Sequence, residues 1–100
     1  MPIREFAKAV LMTETGALLA EVRAVLTKST TQSGRTEWHG VLMPLTRDDE
    51  SKLLLVDQGA FYILRSDTGA EGKVLIKDRP VGFGSGFFRV DVLGNGDPPF

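Results

Sequence analysis

Ala17-Leu18-Leu19-Ala20-Glu21-Val22-Arg23-Ala24-Val25-Leu26-Thr27-Lys28 decides the fold, and it carries two periods at once. Taken two at a time, Leu18, Ala20, Val22, Ala24 and Leu26 form an apolar side against Glu21, Arg23 and Thr27, the pattern of a half-buried strand. Taken at 3.6 residues per turn, Leu18, Leu19, Val22, Val25 and Leu26 fall on one helical stripe, with Arg23, Thr27 and Lys28 opposite. The alanines favour helix. The preceding residues favour strand. Thr13-Glu14-Thr15-Gly16 reads as a tight turn in which Gly16 takes the left-handed position that short hairpin loops need. Segments joined by such a turn normally pair. The strand reading of 17–28 is therefore preferred, and an α+β fold with a helix at 17–28 stands as the alternative.

The same punctuation recurs at Asp57-Gln58-Gly59 and at Ser66-Asp67-Thr68-Gly69, which points to a meander of antiparallel hairpins. Phe88, Val90 and Val92 alternate with Arg89 and Asp91, and Val74 and Ile76 alternate with Lys73, Leu75 and Lys77. Phe61-Tyr62-Ile63-Leu64 is aromatic and β-branched and reads as a strand buried on most of both faces. A further strand covers 37–43, centred on Trp38. One short helical turn is expected near 47–52, with Thr46 as its cap and Asp49 as the acidic partner three residues on. Residues 30–34 read as a polar, mobile loop, and residues 94–100, with Gly94, Gly96, Pro98 and Pro99, as an unpacked tail. The expected architecture is all-β: a small antiparallel meander of six to seven strands in one domain at 1–93, closed or nearly closed into a barrel. Closure removes the exposed edges that an open sheet of this size would keep, and a dimer covering an edge or an apolar face is the other solution.

Composition narrows the functions. One hundred residues, burying about 65% of the unfolded chain's surface, support a single core and no separate cofactor domain. A charge of −1 at neutral pH selects neither a polyanion nor a membrane surface. The longest aliphatic run, Leu53-Leu54-Leu55-Val56, is far too short to span a bilayer. Cysteine is absent, which removes disulfides, thiolate metal sites and cysteine catalysis, and fits a cytoplasmic protein. No cofactor or metal is expected. The one histidine lacks the neighbours that a metal site needs.

Three stretches carry what chemistry there is. In Trp38-His39-Gly40, strand geometry points one of Trp38 and His39 inward and the other outward. With Trp38 inside, His39 is free at the surface as a binding or acid–base group. Gly82-Phe83-Gly84-Ser85-Gly86-Phe87-Phe88 lacks both the Gly-x-Gly-x-x-Gly spacing and a following helix, so it is no phosphate loop. It reads as a glycine bend that turns a barrel corner, with Phe87 or Phe88 plugging the end. Asp48-Asp49-Glu50 places three acids in a row, and adjacent side chains diverge. A solvated first helical turn explains them better than a calcium loop.

The scattered arginines, Arg35, Arg65, Arg79 and Arg89, would hold a carboxylate or phosphate if the sheet brought two of them together beside Tyr62 or Trp38. The ligand-binding candidates are Trp38, His39, Tyr62, Phe83, Arg65 and Arg89. The expectation is a non-catalytic binding or protein-interaction module whose partner is itself or another protein. A small-molecule pocket at the barrel mouth, lined by Trp38, Tyr62 and Phe83, is its ligand variant. Two alternatives stay open: an OB-like single-strand nucleic-acid binder using exposed Trp38, Phe83 and Phe87, and a small hydrolase or isomerase centred on His39 with a nearby carboxylate.

Overall fold

A computed structural model describes residues 3–78, 80, 82 and 88–100. Six strands and one helix follow in order: β1 (Ile3–Met12), β2 (Leu18–Thr30), β3 (Thr36–Pro44), α1 (Arg47–Leu53), β4 (Phe61–Arg65), β5 (Glu71–Ile76) and β6 (Val90–Asn95). The segment with two periods is a strand throughout, so the helix at 17–28 does not form. Ala20, Val22, Ala24 and Leu26 all point into the barrel and are buried, a row that only a period of two keeps on one side. The turn before it locks the pairing of β2 with β1.

The strands close into an antiparallel barrel in the order β1-β2-β3-β6-β5-β4. Each half of the chain is a three-stranded meander, as the hairpin signals imply. The halves then join first strand to first, β1 with β4, and third to third, β3 with β6. The order β4-β1-β2-β3 is a Greek key, with α1 carrying the chain across one end. Hairpin signals report neighbours in sequence and cannot show this crossing.

Three of the turns share one build. Thr13-Glu14-Thr15-Gly16, Thr31-Gln32-Ser33-Gly34 and Ser66-Asp67-Thr68-Gly69 each have a hydroxyl at the first and third positions and glycine at the fourth. In each, the glycine N–H donates to the first residue's carbonyl and the two hydroxyls bond each other at 2.8–2.9 Å. The glycines hold φ of 93°, 84° and 88°, where a Cβ is strained. The expected mobile loop at 30–34 is therefore a hydrogen-bonded hairpin turn joining β2 to β3.

A bulge in β1 keeps its apolar residues inside. Phe6 pairs with Ala24 and Ala9 with Val22, so Ala7 and Lys8 together face Arg23. Without the extra residue, Ala9 and Leu11 would point into water. The interior is filled by Leu11, Val22, Leu26, Leu42, Leu64, Val74, Ile76, Val90 and Val92, all essentially buried. Phe88, Val90 and Val92 face inward as their alternation predicts. Phe61 and Ile63 are only half-buried, because the outer wall of β4 meets no second layer, and Tyr62, on the inner side, is half-buried against the core.

Both ends of the barrel are closed. At one end α1 packs on β2 and β3 and delivers Leu53, with Val56 just after it, into the core beside Phe88. Thr46 caps α1, its Oγ1 accepting from the Asp49 N–H at 3.1 Å. Asp49 is not a solvated acid. It is 7% exposed, accepts the Thr46 hydroxyl proton at 2.8 Å, and accepts the Glu21 N–H of β2 at 3.0 Å. The cap thus pins the helix to the sheet. At the other end the residues expected as a loose tail are packed. Gly94 and Asn95 pair with Val74 and Lys73 in β6, Pro99 is buried, and Phe100 is half-buried edge-on to Phe6 at 6.2 Å.

Candidate interaction surface

Trp38 enters the barrel from β3. Its ring is 3% exposed, packs on Gly94 and Gly72 of the neighbouring β6 and β5, and its Nε1–H donates to the Gly96 carbonyl at 2.9 Å. With its ring held inside the barrel, Trp38 has no face open to a stacked base. Tyr62 sits at the opposite end, where its hydroxyl accepts the Asp57 N–H at 3.1 Å and its ring leans on the core. Trp38 and Tyr62 therefore do not share a pocket. Phe83, Phe87 and Arg79 lie outside the described residues. Arg65 is committed to Glu71 across the β4–β5 pair, through Nε at 2.8 Å and a second nitrogen at 2.5 Å. Arg35 and Arg89 are exposed and apart from that pair.

His39 follows Trp38 and points the other way, onto the outer wall. Strand register surrounds it with a grid two residues deep and three strands wide. Leu93 of β6 and Thr27 of β2 flank His39 in one row. Asp91, Val41 and Val25 form the next row. Lys77, just beyond β5, stands beside Asp91, to whose carbonyl its backbone N–H donates at 3.0 Å. These residues line an open groove of about 520 Å³. The first row continues through Leu75 and Phe61 on one side and Ile3 on the other. Ile3 and Leu93 are exposed; Leu75 and Phe61 are half-buried.

Of the five described candidates from sequence, the groove takes in His39 alone. It adds Val25, Val41 and Leu93, whose signal was readable: in Ala24-Val25-Leu26, Val41-Leu42 and Val92-Leu93 the outward position is as apolar as the inward one. Such a strand has something to cover on both faces. Among the described residues the His39 imidazole has no hydrogen-bond partner, and no group of three His, Asp or Glu side chains is placed to hold a metal. No helix among them is long and apolar enough to cross a membrane. Compared with known proteins, the chain matches no family, no curated protein and no solved structure.

Proposed function

We propose that this barrel is a non-catalytic protein-interaction module, and that the wall of β2, β3 and β6 around His39 pairs with a second copy of the chain. The observation that carries this reading is the grid itself. Val25, Val41 and Leu93 form an apolar centre on a face that a barrel with a filled interior leaves to water. A contiguous exposed apolar patch with a polar rim is the usual mark of a docking surface. The rim favours a copy over a charged partner. Among the described lining residues one base, Lys77, is balanced by one acid, Asp91, and a chain charge of −1 leaves little repulsion between copies. An isologous interface needs a surface complementary to itself, and balanced charge around an apolar centre meets that need. A stable dimer buries about 800 Å² per partner, which the continuation of the row through Leu75 and Phe61 supplies room for.

Analytical ultracentrifugation across a range of concentrations tests the reading. The expected result is a monomer–dimer equilibrium that Leu93→Asp shifts to monomer without loss of the barrel's circular dichroism. A chain that stays monomeric at hundreds of micromolar overturns it. A small amphipathic ligand is the second reading, supported by a groove volume within the range of ligand sites. Thermal-shift screening against metabolites and nucleotides tests that variant.

A further inference from the structure

The end of the barrel that Trp38 closes is covered by residues 97–100 of the same chain. After Gly96, whose φ of 82° makes a sharp pivot, residues 97–100 fold back over this end. Trp38 Nε1–H donates to the Gly96 carbonyl. Gly72 has no side chain, and the space its Cβ would take is shared by Pro99 Cδ at 2.8 Å and Trp38 Cη2 at 2.9 Å. Phe100 then lies edge-on to Phe6, with the Lys28 ammonium 5.0 Å from its ring centre. An indole N–H on a carbonyl, a proline in a slot against the same indole, and an aromatic anchor beyond are the features by which aromatic-lined grooves hold proline-rich segments. The prolines fix φ before binding, so the segment is ordered at low entropic cost.

We propose that this end of the barrel, built from Trp38, Gly72, Phe6 and Lys28, is a receptor for Pro-Pro-aromatic segments, filled in cis by Pro98, Pro99 and Phe100. A protein partner carrying the same segment binds by displacing it. The site is distinct from the outer groove at His39 and does not depend on it.

The probe is a synthetic peptide of residues 95–100, Asn-Gly-Asp-Pro-Pro-Phe, amidated and added to the full chain. The readouts are Trp38 fluorescence and the NMR signal of its indole N–H. The double variant Pro99→Ser/Phe100→Ser loosens the resident segment, which otherwise competes at an effective concentration in the millimolar range. It is expected to bind the peptide at least about tenfold tighter than the native chain. A peptide with both prolines replaced by alanine is expected to bind at least about tenfold more weakly. Equal affinity of the folded variant and the native chain, or of the two peptides, overturns the proposal and leaves residues 97–100 as a plug. Should the variant not fold, the native chain decides. Saturating peptide is expected to move the Trp38 indole signal, and an unmoved signal overturns the proposal.

Discussion

The Trp38 ring packs against the bare Cα of Gly94 on β6, the strand beside β3 in the barrel. A Cβ built at Gly94 would lie among the Nε1, Cδ2 and Cε2 atoms of that ring, and the ring is tied to Gly96 and cannot swing away. Gly94→Ala is therefore expected to cost about 3 kcal/mol of stability in urea unfolding, the upper end for overpacking. Trp38→Leu in the same background is expected to recover part of that loss, giving a coupling of about 1 kcal/mol or more in a double-mutant cycle. Additive losses would mean that the ring and the glycine do not constrain each other.

Asp49 serves the helix and the sheet together. Asp49→Ala strips the Glu21 N–H of its acceptor and removes the partner of the Thr46 hydroxyl, for an expected loss of about 2 kcal/mol. Asp49→Asn keeps an oxygen for Glu21 and is expected to lose about half as much or less. The order of the two unfolding midpoints checks this.

The three hydroxyl–glycine turns should respond alike. Alanine at Gly16, Gly34 or Gly69 is expected to cost about 1 kcal/mol each, because φ near +90° strains a Cβ while open space surrounds all three positions. A loss at Gly34 matching the other two would be direct evidence for an ordered turn at 31–34.

His39 separates fold from association. Its imidazole is exposed and makes no hydrogen bond among the described residues, so His39→Ala is expected to change unfolding stability by no more than about 0.5 kcal/mol. The same variant is expected to weaken dimerisation in sedimentation experiments, because His39 lies at the centre of the apolar grid.

Lys52 gives a small pH signature. A hydrogen bond to Asp48 one turn earlier, and then the charge of that carboxylate, raise its pKa above the ordinary lysine value. A group raised on folding contributes fully below its unfolded pKa, and that contribution fades as pH climbs through the folded value. The midpoint difference between the native chain and Lys52→Met is expected to be slight at neutral pH, since the pair is solvent-exposed, and to shrink further in strong alkali.

How far the sequence could be read depended on the range of the interaction. Turn glycines, inward alternation and the Thr46 cap are local, and each is visible within a few residues. Asp49 was misjudged because its partner, Glu21, lies 28 positions away, and an acid beside two acids looks solvated until the strand beneath it is known. Residues 94–100 looked loose because Gly94 reads as a weak strand residue. Its purpose, leaving room for a tryptophan from β3, exists only once the barrel closes. Trp38 and His39 were legible as an inside–outside pair, but the neighbours of His39 come from β2 and β6 and needed the register.

The first-to-first and third-to-third joining of the two sheets makes the barrel a fused dimer of three-stranded units. Within the units, three of the four pairings close at short hairpins, Met12 with Leu18, Thr30 with Thr36 and Arg65 with Glu71, while β5 and β6 close at Ile76 with Val92. The two seams, Val10 with Arg65 and Leu42 with Val90, close over some fifty residues. Closing either seam means closing a long loop, which makes the seams the entropically costly contacts of this topology. The segment holding α1 acts as the tether that turns a bimolecular meeting into an intramolecular one. Lengthening that tether dilutes one half of the protein with respect to the other, while severing it makes the barrel's assembly depend on concentration.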